Sequence, residues 1–308
     1  MAPTLLDQSG GKNVQKVIID TDPGVDDALA LLFALSSPEL NVEAITVVAG
    51  NVRLELALEN ALRMVQIAGR SDIPVAAGAR EPLERSLVTA TSHGPNGLGG
   101  VEFPIPTIKP ADKPAAEMIR TIVSSSPGEM SIICLGPLTN IATVLRNSPE
   151  VAKQIKEIVL MGGSLSGGNM TPVAEFNMYV DPEAASIVFG SGIPLTMVGL
   201  DVTRKCVLTK DHVAALQAGD SAICKAAGRI AGSGERAMHD PLAVAAFIDR
   251  SLLQLREYFV AIETRGDLTA GETVGYTEPP YSPNANVAVG VDAERFFRMF
   301  IGRLTGTG

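Results

Sequence analysis

Short apolar runs, each followed by a stretch of helical pattern, recur along this chain and restrict it to one kind of architecture. Residues 17–20, 42–48, 131–135, 158–161 and 195–200 form such runs, and they are largely apolar on both sides. A strand of this type is buried on both faces, as happens inside a parallel sheet covered by helices above and below. The stretches 26–35, 55–68, 138–145 and 181–189 read as the intervening helices. Strand and helix therefore alternate, which predicts an α/β fold: a mainly parallel open sheet flanked by helices. The region 210–247 reads as mainly helical and is expected to form a lobe over the carboxyl ends of the strands. Residues 1–14 are expected to be a disordered tail and 15–308 a single domain, since no linker, repeat or low-complexity tract interrupts the pattern.

Composition narrows the function. A chain of 308 residues that is 46% hydrophobic can fill a large core, yet no apolar run is long enough to cross a membrane. A formal charge of −9 disfavours nucleic acid and anionic membrane as partners. Three cysteines, an odd number without metal-type spacing, suit a reducing compartment, and a cytoplasmic location is the expectation. The polar start of the chain has neither the apolar centre of a signal peptide nor the arginines of a presequence.

The chemistry concentrates at the first strand-to-helix corner. In Ile18-Ile19-Asp20-Thr21-Asp22-Pro23-Gly24-Val25-Asp26-Asp27-Ala28, four aspartates fall within eight residues, between a buried strand and a helix apolar on nearly every side. Two unit charges about 4 Å apart repel by roughly 4 kcal/mol at an effective dielectric near 20. The positive end of the following helix returns only about 0.3–1 kcal/mol. A cation or shared protons must supply the difference. Oxygen ligands with no Cys or His beside them favour a hard divalent ion, Ca²⁺ or Mg²⁺. The plainer alternative is that Asp20 bonds backbone while Asp26 and Asp27 favour a helix start.

Open parallel sheets bind ligands beyond the carboxyl ends of their strands. Those ends deliver Asp20 and Asp22, Gly50-Asn51, Leu135-Gly136-Pro137, Met161-Gly162-Gly163 and Asp201. Two long loops rich in Gly and polar residues, 80–109 and 162–179, are expected to be functional. His239-Asp240-Pro241 opens an apolar helix; Asp before Pro is an ordinary helix start, but the pair also places a carboxylate beside an imidazole. His93 lies in a glycine-rich loop, and His212 reads as solvated surface at a helix start. The glycines at 162–168 lack the Lys-Ser/Thr of a phosphate loop, and neither a serine nucleophile elbow, an HExxH motif nor EF-hand spacing is present.

The segment Asp20-Thr21-Asp22-Pro23-Gly24-Val25-Asp26-Asp27-Ala28 resembles the signature of the inosine-uridine-type nucleoside hydrolases. Further likenesses follow in order: Gly136-Pro137-Leu138-Thr139-Asn140, Val159-Leu160-Met161-Gly162-Gly163, Ala174-Glu175-Phe176-Asn177, Asp181-Pro182-Glu183-Ala184-Ala185 and His239-Asp240-Pro241. The resemblance implies hydrolysis of the N-glycosidic bond of ribonucleosides, with one Ca²⁺ per chain. It implies Asp22, Asp27 and Asp240 as side-chain ligands of that ion and Leu135 as the carbonyl ligand. Many relatives carry Thr at the carbonyl position; a main-chain oxygen tolerates the change to Leu135. It further implies Asp22 as general base, and Asp26, Asn51, Asn169, Glu175 and Asn177 on the ribose. Met161 would pack near the sugar, His93 and Phe176 would touch substrate, and His239 would donate a proton to the leaving base. A homodimer or homotetramer acting on a small ribonucleoside is implied as well. Some relatives place an aromatic residue before the histidine to meet the base, but between Ser221 and Met238 this chain has none. A non-catalytic ribose- or nucleoside-binding protein on the same scaffold and a metal-dependent phosphatase stay open as alternatives.

Overall fold

The computed structural model describes residues 14–232 and 234–307, so the tail expected over 1–14 lies outside the described residues apart from Val14. The first half of the chain follows the expected alternation. Strand β1 (Gln15–Thr21) leads to α1 (Val25–Leu35), β2 (Leu40–Val47) to α2 (Leu54–Ile67), and β3 (Val75–Ala77) to α3 (Ala115–Ser125). Next come β4 (Ser131–Cys134), α4 (Thr139–Asn147), β5 (Glu157–Met161), α5 (Phe176–Val180), α6 (Pro182–Phe189) and β6 (Leu195–Val198). Side chains alternate across these strands into two separate cores. Ile19, Ile133 and Val159 enter one, while Ile18, Ile132 and Ile158 enter the other, so both faces of the sheet are covered. That is why the strands read as unbroken apolar runs.

Nine strands form one sheet in the order β10-β9-β11-β6-β5-β4-β1-β2-β3. From β1 the chain runs outward through β2 and β3, then returns to place β4 on the other side of β1, and all these neighbours pair in parallel. The order therefore reverses between β1 and β4, and connections leaving those two strands diverge to open a crevice beyond their carboxyl ends. Helix α1 begins beside that crevice and is buried along all 11 of its residues. It packs among α2 and the later helices α9 (Ala222–Ala231), α10 (Asp240–Ile248) and α11 (Ala293–Thr305). Each fully buried Leu or Phe in that layer contributes roughly 1.5–3 kcal/mol relative to exposure. A helix start locked in this way cannot shift to spread its charges.

The region expected to be helical over 210–247 contains α8 (Lys210–Gln217), α9 and α10, preceded by the short α7 (Leu200–Thr203). It also holds a feature the sequence pattern does not signal, a two-stranded ribbon of β7 (Val207–Leu208) and β8 (Arg236–Ala237). His212, expected on the surface, instead stacks on Phe297 with ring centroids 4.1 Å apart. Its Nδ1 also accepts from the Thr209 N–H at 3.2 Å, so the ring closes the start of α8. The C-terminal strands β9 (Leu253–Ile262), β10 (Thr273–Tyr276) and β11 (Ala285–Val291) add an antiparallel edge, with β9 running against both neighbours. No helix among the described residues is long and apolar enough to cross a membrane, and Cys134, Cys206 and Cys224 are free and buried.

Candidate functional site

Asp22 ends the extended run of β1, and two glycines make room for it. A Cβ at Gly50 would overlap its Oδ2, and one at Gly136 would lie 2.5 Å from its Oδ1. Asp22 Oδ2 accepts the Asn51 backbone N–H at 2.6 Å, while Oδ1 is buried with no hydrogen-bond partner. Asp27, in the first turn of α1, is the most heavily bonded carboxylate. Its Oδ1 accepts from Thr21 Oγ1 at 2.7 Å, and its Oδ2 accepts from the Gly24 N–H at 3.0 Å and Asn51 Nδ2 at 2.9 Å. Asp240 opens α10, next to Pro241 in the first helical turn. Carboxylate oxygens of Asp26, Asp27 and Asp240 lie within 4.8 Å of one another. Asp22 adjoins that trio, its backbone N–H donating to Asp27 Oδ1 at 3.3 Å.

Burial, then repulsion from Asp27, pushes the Asp22 pKa well above the usual carboxylate range. Burial followed by repulsion from Asp26, Asp27 and Asp22 does the same to Asp240. Both carboxyls thus resist ionisation without a counter-charge. The donors are all oxygen, one of them is an orphaned buried carboxylate atom, and the Leu135 carbonyl lies at the neighbouring strand end. Such a set fits a hard divalent cation, and the acidic cluster can hold a metal ion. This trio contains Asp26, whereas the expected ligand set names Asp22 in its place. Asp20, by contrast, serves the sheet. Its Oδ1 accepts from Thr46 Oγ1 at 2.5 Å and Asn140 Nδ2 at 2.8 Å, and burial lifts its pKa to about 7.

A cavity of about 540 Å³ opens on this cluster, a size suited to a small ligand. Asp26, Asn51, His93, Leu135 and Met161 line it from the strand ends and the first long loop. Asn169, Glu175, Phe176 and Asn177 line it from the second loop and α5, and His239 and Asp240 from the start of α10. Asp22 and Asp27 are not in its wall and lie fully buried behind it. Every residue expected at the site is therefore brought to one place. Several are already engaged with protein groups. Asn177 Nδ2 donates to the Leu135 carbonyl at 2.7 Å and the Met161 carbonyl at 3.1 Å, and Asn169 Oδ1 accepts from the Phe176 N–H at 2.9 Å. Glu175 Oε2 accepts from Gly163 N–H at 3.0 Å and Met178 N–H at 3.2 Å, yet burial outweighs those bonds and raises its pKa to about 7.

The two histidines are fixed differently. His93 Nδ1 accepts the Val25 N–H at 2.9 Å, satisfying one of the unpaired donors at the start of α1. With Nδ1 accepting, the neutral ring carries its proton on Nε2. His239 Nδ1 shares a 2.8 Å hydrogen bond with Thr203 Oγ1, and burial pushes its pKa below the usual histidine value, with Asp26 acting in the opposite sense. Thr203 was not legible as a site residue; its only signal is its place just after Asp201 at the end of a predicted strand.

The remaining family-like segments hold the loops. Asp181 accepts from the Leu83 N–H at 2.9 Å and from Thr139 Oγ1 at 2.7 Å, and Arg85 pairs with Glu183 at 2.8 Å, so the first loop is tied to α4 and α6. Asp201 accepts from the Leu165 N–H at 2.9 Å and Ser166 Oγ at 2.6 Å, and Arg204 donates to the Gly168 carbonyl at 2.5 Å, which tethers the second loop.

An acidic crevice thus lies at the strand-order reversal, reached by two tethered loops. The sequence matches the inosine-uridine preferring nucleoside hydrolase family over residues 17–298. This chain belongs to that family. It is 41% identical over 303 residues to the pyrimidine-specific ribonucleoside hydrolase RihA of Citrobacter koseri, covering 94% of this chain and 97% of the relative. Its structure superposes on the plant nucleoside hydrolase PpNRh1 with a TM-score of 0.89 at 36% identity, covering 94% of this chain and 99% of that one. The purine-preferring ribonucleoside hydrolase from Gardnerella vaginalis gives a TM-score of 0.89 at 34% identity, covering 95% and 99%. The chain is thus an enzyme of the ribonucleoside hydrolase class, and the non-catalytic and phosphatase alternatives fall away.

Proposed function

We infer that this enzyme hydrolyses the N-glycosidic bond of ribonucleosides with the aid of one Ca²⁺ held by Asp22, Asp27, Asp240 and the Leu135 carbonyl. The observation that carries this reading is the unpartnered, fully buried Asp22 Oδ1 among three further carboxylates at the end of β1. When bound, the ion supplies the positive charge that offsets their repulsion and acidifies water. Asp22 takes a proton from water as the water oxygen bonds to C1′. The C1′–N bond breaks and its electron pair leaves with the base. Asp26 and Glu175 oppose the positive charge that develops on the ribosyl centre. Asp26, Asn51, Asn169, Glu175 and Asn177 hold the ribose hydroxyls, and Met161 packs against the sugar. His93 and Phe176 contact substrate at the cavity wall, and His239 assists the leaving base through its ring N–H. A homodimer or homotetramer in the cytoplasm is part of the same reading.

The test is release of free base from a panel of ribonucleosides, with metal analysis and a chelator arm. About one calcium per chain is expected, with activity lost on chelation and restored by Ca²⁺. Uridine should exceed 2′-deoxyuridine by about 10⁴–10⁵ in kcat/KM, since a site built to bond a hydroxyl rejects the analogue that lacks it. Base release that survives complete metal removal would overturn the calcium assignment.

A further inference from the structure

Among the described residues, Arg236 is the only Arg or Lys side chain lining the cavity, whose carboxylates are Asp26, Glu175 and Asp240. It stands on β8, in the ribbon outside the main sheet, three residues before His239. Its Nε is buried with no hydrogen-bond partner. Among the described residues no carboxylate forms an ion pair with it. A guanidinium has donors only, so whatever completes this one must be a hydrogen-bond acceptor. The carboxylates and amides at the strand ends suit the hydroxyls of a ribose, which leaves the base for the side of the cavity formed by the ribbon. No aromatic residue lies between Ser221 and Met238 to stack on that base. The cation is the distinctive group there.

We propose that Arg236 determines base specificity by donating to a ring carbonyl oxygen of the leaving base, selecting oxo bases over their amino counterparts. The proposal rests on the ribonucleoside-hydrolase reading given above. The physical reason is the fate of the bonding electrons. As C1′–N breaks, the pair passes to the base, and in uracil or hypoxanthine the charge spreads onto carbonyl oxygen. A guanidinium bonded to that oxygen binds the transition state more tightly than the ground state. Cytosine presents an amino group where uracil presents its 4-oxo group, and adenine does so where hypoxanthine presents its 6-oxo group. There donor faces donor, and the guanidinium stays unpaired. Arginine presents a planar fork that lysine does not reproduce.

The experiment measures kcat/KM for uridine and cytidine with the parent enzyme, Arg236→Met and Arg236→Lys, all in the calcium-loaded form. The parent should prefer uridine. Arg236→Met should lower the uridine-to-cytidine ratio by roughly 10–100-fold, the worth of a hydrogen bond from a charged donor, chiefly through loss of uridine activity. Arg236→Lys should retain part of the preference. Both rates come from one preparation, so a partly unfolded variant leaves the ratio unaltered. A parent with no preference for uridine, or a methionine variant with the parent's ratio, would overturn the assignment while leaving ribonucleoside hydrolysis intact. A parent that frees base from no ribonucleoside would instead remove the hydrolase reading on which the proposal stands.

Discussion

At the inner end of the cavity, Asp22, Asp27 and Asp240 sit at a strand end and two helix starts, positioned by main chain that is buried on every side. At its outer side, His93, Asn169 and Arg236 are carried by two loops and a two-stranded ribbon, the first two positioned by single hydrogen bonds and the third by the ribbon's backbone pairing. The inner groups cannot move apart to relieve their repulsion, so the fold stores a demand for a cation. The outer groups can be exchanged without disturbing the sheet. Chemistry common to a family belongs in the first setting and substrate preference in the second. The relatives agree with that division, since a pyrimidine-specific hydrolase and a purine-preferring one each align with nearly the whole of this chain.

The sharpest way to break this contrast is at the inner end. Asp22→Asn keeps the shape and the acceptor for the Asn51 N–H but removes basicity. We expect kcat to fall by about 10²–10⁴-fold, the usual worth of general acid–base catalysis. Bound calcium, measured by metal analysis, should persist at least in part through Asp27 and Asp240. A variant with near-parent kcat and parent metal content would mean that another group accepts the proton.

Much of the inner end was legible in the sequence because it is local. Asp22, Asp26 and Asp27 fall within one turn, and the apolar residues on each side declare that turn buried. The fold was legible for the same reason: each β-α unit of the parallel sheet is written in adjacent residues. The antiparallel edge of β9, β10 and β11 was not, because its pairing is set by tertiary neighbours, and β9 itself is exposed on both faces over residues 254–257. Arg236 and Thr203 were silent for a related reason. Each is an ordinary residue in an ordinary stretch; Thr203 reaches the site through its pairing with His239, and Arg236 through the ribbon that β8 forms with β7. Asp181 and Asn140, which lie in family-like segments with no role assigned from the sequence, hold loops and strands.

Glu175 lies where the two regions meet, and its titration sharpens the comparison. In the unfolded chain it titrates near its ordinary 4.5, and burial raises it to about 7 in the folded protein. Between those values the folded state holds a proton that the unfolded state has lost. Its contribution is therefore most favourable below pH 4.5 and is withdrawn as pH rises towards and past 7. Glu175→Gln removes this dependence. Measured on chelated protein by denaturant unfolding, the stability difference between variant and parent should be near zero at pH 4.5. It should grow in the variant's favour to roughly 3 kcal/mol by pH 8, since one pKa unit is worth 1.36 kcal/mol. A difference that stays flat with pH would mean that the two backbone N–H donors keep Glu175 ionised throughout.

The smallest effect is expected at the outer side, where Arg204 tethers the loop that carries Asn169. Its guanidinium donates to the Gly168 carbonyl at 2.5 Å and more weakly to Gly167 at 3.5 Å, and the group is largely exposed. A net hydrogen bond of this kind is worth about 0.5–1.5 kcal/mol. Asp201 still holds Leu165 and Ser166 when Arg204 is replaced, so the loop loosens without being released. Arg204→Met should raise KM for ribonucleosides by about 3–10-fold and leave kcat within about twofold, because the loop orders bound substrate while the groups that act on C1′ lie elsewhere. If kcat fell as far as KM rose, the loop would be holding a reacting group in place. The division between a rigid catalytic end and an exchangeable outer side would then have to be drawn beyond Asn169, with the second loop counted among the catalytic parts.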